Sequence, residues 1–146
     1  MKTPSRIALA LAALLITPVA SADDNKSIIK HREAIMEGIA GHFSAAYVTL
    51  KGMDDFKANR QFHAESLARL AKIAPQTFPK GSGDGKTEAL AAVWEKPEAF
   101  KEAMDTFITR ADEFAIASTQ DEKSFGAAAN ALGKSCKGCH DDFKSK

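Results

Sequence analysis

The sequence has no apolar run long enough to cross a membrane, and it has no pattern of β-strands. Its longest apolar run is the ten residues from Ile7 to Ile16, whereas a membrane-spanning helix needs about 20. No stretch of useful length alternates between apolar and polar residues, as a half-buried strand would. No internal repeat is apparent either. These absences exclude a multi-span membrane protein, an all-β fold and a repeat array.

The sequence also lacks a strong excess of charge of either sign. It contains 20 Lys and Arg residues against 19 Asp and Glu residues, a formal net charge of +1. No strongly basic face is implied, so we do not expect nucleic acid as a partner. No pairing of a nucleophile with a base is visible, and we therefore do not expect an enzyme.

The first 22 residues have the features of a secretory signal peptide. Lys2 and Arg6 supply the positive charge before the apolar run, and Ala20 and Ala22 are small residues suited to a cleavage site. An uncleaved membrane anchor is the alternative, but the run is too short for a span. We therefore expect export to the periplasm. The mature domain would be residues 23–146, with 18 basic and 19 acidic residues and no membrane span.

The mature sequence shows helical periodicity in four segments. In the first, apolar residues recur every seven positions, and the last two show spacings of three and four. Short connections make sequential helices antiparallel neighbours, so the fold class predicted is all-α, an antiparallel up-and-down four-helix bundle. A Pro- and Gly-rich loop separates the second and third helices. The predicted helices run from about 25 to 52, from about 57 to 78, from about 97 to 117, and from about 122 to 143.

The last helix ends with Cys136, Cys139 and His140 in the spacing C-x-x-C-H, which is typical of covalent haem attachment. Residues three apart on a helix point the same way, so both thiols can reach the two vinyl groups on one edge of a porphyrin. The adjacent imidazole can then approach the iron. A redox dithiol, a zinc half-site and a disulfide are the alternatives. A redox dithiol fits less well because the cysteines lie near a helix C-terminus, and a zinc site because no further cysteine follows. A disulfide between residues three apart would strain the helix.

Two side chains at the start of the first helix are candidates to complete a haem pocket. In an up-and-down bundle this end of the first helix lies beside the end of the fourth. Met36 offers a thioether, an axial iron donor used opposite histidine, or else it only fills space in the core. Arg32 is a charge on an apolar face and suits a haem propionate, unless it tilts into solvent.

Other residues are weaker candidates. Met104 is expected in the core, and three histidines that lie off the apolar faces are expected at the surface, namely His31, His42 and His63. Three aromatic residues are candidates to pack against the macrocycle, although aromatic residues usually form core: Phe78, Trp94 and Phe125.

The segments from Arg32 to Met36 and from Cys136 to Lys144 together resemble the class II c-type cytochromes, the cytochrome c-prime family. That resemblance implies a left-handed bundle with one haem c, attached through Cys136 and Cys139, with His140 as proximal ligand. It also implies Arg32 near a propionate, Met36 on the distal side, and in many members a homodimer through the first two helices.

Two functions follow from this motif, and the electron carrier is preferred. In the carrier, His140 and Met36 both bind the iron, and periplasmic redox proteins are the partners. In the alternative, the iron has five ligands, the spin state is high, and nitric oxide or carbon monoxide binds in an apolar distal site lined by Met36, Ile39 and Phe43.

Overall fold

The computed structural model describes residues 22–146, with side chains from Asp24 onward. The predicted signal peptide lies, apart from Ala22, outside the described residues. No helix in the described part is both long enough and apolar enough to cross a membrane. The helices are α1 (Ala22–Tyr47), α2 (Arg60–Ile73), α3 (Ala92–Glu95), α4 (Pro97–Ala117) and α5 (Glu122–Phe143).

The four long helices form an up-and-down bundle with one open side. Helix α1 packs against α2, α2 against α4, and α4 against α5, whereas α1 and α5 pack far less closely. Phe78, just after α2, contacts Phe100 near the start of α4 with a ring separation of 4.9 Å, so the chain enters α4 at the end where it leaves α2. The α1–α5 side of the bundle is where the cavity described below is found.

The predicted four-helix fold is confirmed. The second predicted helix is too long, because α2 covers only Arg60–Ile73 and a 3₁₀ segment, Ala74–Thr77, follows it. The fourth predicted helix matches α5, while α1 ends earlier than predicted and continues as a 3₁₀ turn, Val48–Lys51. Gly52 follows with φ +83°, a left-handed conformation that glycine adopts without a steric penalty. A second 3₁₀ segment, Asp54–Asn59, then leads into α2.

The end of the bundle away from the cavity is closed by aromatic packing and a buried arginine. Phe114 and Phe125 are fully buried and stack with their centroids 4.8 Å apart. The Arg60 guanidinium lies 4.4 Å from the Phe125 ring centroid. It donates hydrogen bonds to Thr49 Oγ1 at 2.8 Å and to the Glu122 carboxylate at 3.0 and 3.2 Å. Phe125 therefore belongs to this core, the usual role of an aromatic residue, and it does not line the cavity.

Asp121 caps the helix that carries the cysteine motif. Its Oδ1 accepts hydrogen bonds from the backbone N–H groups of Lys123 at 3.0 Å and Ser124 at 2.9 Å. These contacts satisfy donors that the first helical turn leaves unpaired. The hydrogen bonds from Ser124, above all from its backbone, lower the pKa of the Asp121 carboxyl.

Replacing Asp121 tests this cap. We expect Asp121→Ala to lower the thermal unfolding midpoint of the holoprotein by about 2–5 °C, as is typical for loss of an N-cap. Asp121→Asn is the matched control, because an amide oxygen also caps well. Because the folded pKa lies below the ordinary value of about 3.9, the carboxylate stabilises the fold above that pH. The difference between wild type and Asp121→Ala should shrink as the pH falls through the folded pKa. An equal effect of both substitutions at pH 7 would contradict the cap.

Candidate functional site

Helix α5 presents the cysteine motif to the open side of the bundle. Cys136 and Cys139 are both half-buried, and with His140 they line one cavity. Their spacing of three residues on a continuous helix puts both sulfurs on the same face. The structure therefore brings the three predicted residues of the motif together on one wall.

The two thiols are poor candidates for redox or metal chemistry of their own. Burial raises the pKa of the Cys136 thiol, and burial together with the neighbouring Cys136 raises the pKa of Cys139 to about 11. A reactive dithiol needs a lowered pKa, since the thiolate is the nucleophile. No group of three or more His, Cys, Asp or Glu side chains within residues 22–146 is arranged to hold a metal ion. Protonated thiols that face an apolar cavity are better suited to addition to a hydrophobic cofactor than to redox or metal chemistry of their own.

Partial desolvation beside the cavity, and secondarily the charge of Lys144, lowers the pKa of His140. The imidazole is consequently neutral at pH 7, and a neutral ring nitrogen is the form that binds a metal. His140 lies at the exposed rim of the cavity, one residue from the second thiol. It can therefore act as an iron donor from a fixed position on α5.

The cavity between α1 and α5 has a volume of about 690 Å³, within the range of about 300–1,000 Å³ found for cofactor sites. Exposed residues of both helices stand at its edges, so it opens to the surface. Its interior is mainly apolar. The lining side chains of α1, α2 and α4 that contribute this apolar surface are Met36, Ile39, Ala40, Phe43, Leu67, Phe100, Met104 and Phe107.

Met36 and His140 line this cavity from two different helices. Met36 is half-buried and packs against the edge of the core, whereas Met104 is 4 % exposed and belongs to the core as predicted. Ile39 and Phe43 extend the same apolar surface along α1. This position is compatible with both hypotheses for Met36, namely that it donates to iron and that it only packs in the core.

Arg32 is buried, with 4 % of its surface exposed, so the alternative that it tilts into solvent is wrong. Its guanidinium donates to the Thr77 carbonyl at 2.9 Å, to Thr87 Oγ1 at 3.2 Å, and to the Ser82 carbonyl and hydroxyl at 3.1 and 2.6 Å. It also lies 4.5 Å from the Phe78 ring centroid. The residues after α2 are thereby fixed to α1.

Four of the five N–H donors of a guanidinium are used by these contacts, and one on Nη1 is left for a further acceptor. Burial lowers the pKa of Arg32, but an arginine side chain stays protonated at any working pH. No carboxylate is among the hydrogen-bond partners that the described residues provide. An anionic group in the cavity, such as a propionate, would meet a charge that is already oriented and largely desolvated.

The loop of residues 78–91, called the crossover loop below, covers one end of the cavity and is tied to the C-terminus. Leu90 N–H donates to the Phe143 carbonyl at 2.9 Å, and Ser145 N–H donates to the Glu88 carbonyl at 2.8 Å. Lys144 Nζ forms an ion pair with Glu88 at 2.9 Å. The segment that follows the cysteine motif therefore also holds the loop in place.

Sequence reasoning missed the hydroxyl and carbonyl partners of Arg32 on Thr77, Ser82 and Thr87. Isolated Ser and Thr residues in a loop carry no recognisable pattern. Among the aromatic candidates, Phe78 does line the cavity. Trp94 instead packs on Gly83 and donates from Nε1 to the Pro79 carbonyl at 3.0 Å.

These features coincide with a known family. The family model described as Cytochrome C' matches residues 27–144. The chain belongs to the cytochrome c' family. Cytochrome c' from Rhodospirillum rubrum is 38% identical over 143 residues, which cover 95% of this chain and 96% of that protein.

Solved structures agree with this assignment. Cytochrome c prime from Shewanella frigidimarina superposes with a TM-score of 0.79 at 34% identity, covering 86% of this chain and 100% of that one. A ferrous variant of cytochrome c prime from Alcaligenes xylosoxidans with bound nitric oxide has a TM-score of 0.76 at 26% identity, covering 84% and 96%.

A cytochrome c' carries one c-type haem, and the residues present here fit that group. The chain has two cysteines, and both face an apolar cavity of suitable size together with a histidine and a buried arginine. One haem, attached covalently through Cys136 and Cys139, is therefore the cofactor.

The role of Arg32 in fixing the crossover loop can be tested by proteolysis. Arg32→Lys keeps the charge but loses most of the fork of hydrogen bonds. Each lost bond costs about 1 kcal/mol, so we expect trypsin to cut at the exposed Lys80 and Lys86 about 10- to 100-fold faster in the holoprotein. Arg69→Lys, on the exposed face of α2, is the matched control. Equal cleavage rates in the three proteins would show that the loop does not depend on Arg32.

Proposed function

We propose that this cytochrome c' is an electron carrier of the periplasm, exchanging single electrons between redox proteins through its haem iron. The observation that carries the proposal is the pair of iron-donor side chains, Met36 and His140, lining one cavity from different helices. If both side chains bound the iron, its coordination would be the same before and after electron transfer, which favours a carrier over a catalyst.

We assign the residues of this chain as follows. Cys136 and Cys139 would form the two thioether bonds, and His140 would bind the iron. Arg32 would bind a propionate with its remaining N–H. The haem supplies one-electron chemistry, while the protein fixes its orientation, keeps water from the apolar wall and holds His140 neutral.

Charges at the mouth of the cavity suit encounters with other proteins. Exposed Glu33 and Glu37 on α1 stand across from exposed Lys137 on α5. Mixed charges near a redox centre steer a complementary partner without holding it tightly.

We also propose that the protein is located in the periplasm and forms a homodimer. Removal of the first 22 residues after export would release a domain in the compartment where such partners occur. Large apolar side chains are exposed around the α1–α2 end of the bundle, which we propose as the surface for a homodimer: Tyr47, Val48, Met53, Phe56 and Phe62.

A second candidate function is binding of nitric oxide or carbon monoxide at a five-coordinate iron. It is favoured by the apolar surface that Ile39 and Phe43 add beside Met36, which offers no polar group to a bound ligand. The Alcaligenes xylosoxidans relative with bound nitric oxide shows that a protein of this fold binds such a gas. In this case Met36 would only pack against the ligand.

Absorption spectra of the ferric and ferrous holoprotein separate the two functions. For the carrier we expect a low-spin spectrum with the methionine-to-iron charge-transfer band, because a thioether is a sixth ligand. Met36→Leu should abolish that band. It conserves volume and should cost less than about 1.5 kcal/mol of stability.

Met104→Leu is the matched control, since Met104 lines the same cavity from α4 and should leave the band intact. A high-spin spectrum in all three proteins, shifting when carbon monoxide is added, would overturn the carrier and support the gas-binding function.

A further inference from the structure

A pair of histidines joins α1 to α2 outside the haem cavity. The Nδ1 atoms of His42 and His63 are 2.9 Å apart, which is hydrogen-bond distance, and the ring centroids are 5.2 Å apart. Both residues are half-buried. Neither histidine lines the cavity, so the contact is separate from the residues that hold the haem.

The hydrogen bond between the two rings limits the number of protons that the pair can hold. One ring carries a proton on Nδ1 and donates it, and the other accepts it with a lone pair on its own Nδ1. A proton added to Nε2 of the donating ring leaves this bond in place and strengthens it. A second added proton occupies the accepting Nδ1, so that two cationic donors face each other without an acceptor. The contact is therefore compatible with one positive charge but not with two.

The environment of His63 makes it the accepting ring. Partial desolvation, and secondarily the charge of His42, lowers the pKa of His63. Because the folded pKa lies below the ordinary value of about 6.5, folding keeps this ring neutral where a free histidine would already bind a proton. The hydrogen bond is thus intact at pH 7 and above, and it is lost as the pH falls below about 6.5 through the folded pKa.

Other charged side chains near the pair are engaged elsewhere. On α1, the residues one turn before and after His42 are uncharged, namely Gly38, Ile39, Ala45 and Ala46. The charged residues within one turn of His63, and Lys57 before α2, form other contacts: Arg60 with Thr49 and Glu122, Glu65 with Gln61 and Arg69, and Lys57 with Asp54 and Glu122. In the described part of the chain, no carboxylate is thus placed to stabilise a second proton on the pair.

Phe62 connects the histidine pair to the surface. Its ring contacts both imidazoles edge-on, with centroid distances of 6.0 Å to His42 and 5.4 Å to His63. Phe62 is 64 % exposed and belongs to the surface assigned above to the homodimer. Separation of the two imidazoles removes the support of this ring, and two charges beside an apolar interface are costly to desolvate. Both effects weaken binding of a second copy.

We propose that His42 and His63 form a pH switch that opens the homodimer in acid. This inference rests on the homodimer proposed above. At neutral pH the shared hydrogen bond holds α1 to α2 and keeps Phe62 in place for the second copy. When both rings are protonated, they separate and the homodimer dissociates.

Sedimentation equilibrium of the holoprotein between about pH 7.5 and about pH 5 tests the switch, because this range spans the titration of histidine. Each dimer that dissociates takes up two protons, one per chain, so we expect the dimer Kd of the wild type to rise at least about 10-fold. His63→Gln and His42→Gln can each keep a hydrogen bond but cannot hold two charges, and their Kd should change less than about 2-fold. His31→Gln, at an exposed position of α1, is the matched control and should respond to pH as the wild type does.

The outcomes separate the switch from the homodimer itself. A wild type that is monomeric throughout the pH range overturns both. A dimer whose Kd does not change with pH, or one that dissociates equally in the wild type and in both pair variants, overturns the switch and leaves the homodimer standing. Helical circular dichroism at pH 7.5 reports whether each variant has folded, and His42→Gln tests the same hydrogen bond if His63→Gln does not fold.

Discussion

The arrangement of this molecule depends on a buried positive charge at the open side of a helix bundle. Three sides of the bundle are closed by helix packing, and the fourth, between α1 and α5, encloses a cavity. Arg32 stands at one end of this side, and its contacts with Thr77, Ser82 and Thr87 fix the chain beyond α2. A buried guanidinium is costly unless its donors are paired. The loop that covers the cavity therefore also supplies polar groups that replace water around the Arg32 guanidinium.

The chemistry of α5 follows from its position against that cavity. Its cysteines face apolar surroundings near a helix C-terminus, and both conditions disfavour thiolate. The same segment continues into Phe143 and Lys144, which hold the crossover loop through the Leu90 hydrogen bond and the Glu88 ion pair. Attachment of the cofactor and closure of its cavity thus involve one stretch of about ten residues.

The sequence predicts the parts of this structure that rest on periodicity or on a fixed motif. Helix α5 is predicted to the residue from its apolar spacing, and the structure adds a cap at Asp121 that fixes its start. The joint position of Arg32, Met36 and His140 follows from up-and-down topology alone.

The hydrogen-bond partners of Arg32 could not be predicted from the sequence, because single hydroxyl and carbonyl groups in a loop do not recur at a regular spacing. Spacing places Phe125 on the inner face of α5, but it does not show which residues surround it, because those depend on how the helices pack. The contact between His42 and His63 could not be predicted for a similar reason. Each residue lies off the apolar face of its helix, and only the packing of α1 on α2 brings them together.

The two proposed functions differ in the role of one flexible side chain, Met36, which lines the cavity from α1. Methionine has three rotatable bonds and adapts its shape at little cost. Met36 is half-buried at the edge of the core, unlike Met104, so moving its thioether breaks few contacts. The scaffold can therefore accommodate either a sixth protein ligand or an open apolar site without rearranging a helix. Under our proposal, carrier and gas binder would differ only in whether this thioether reaches the iron, so the fold by itself does not distinguish the two functions.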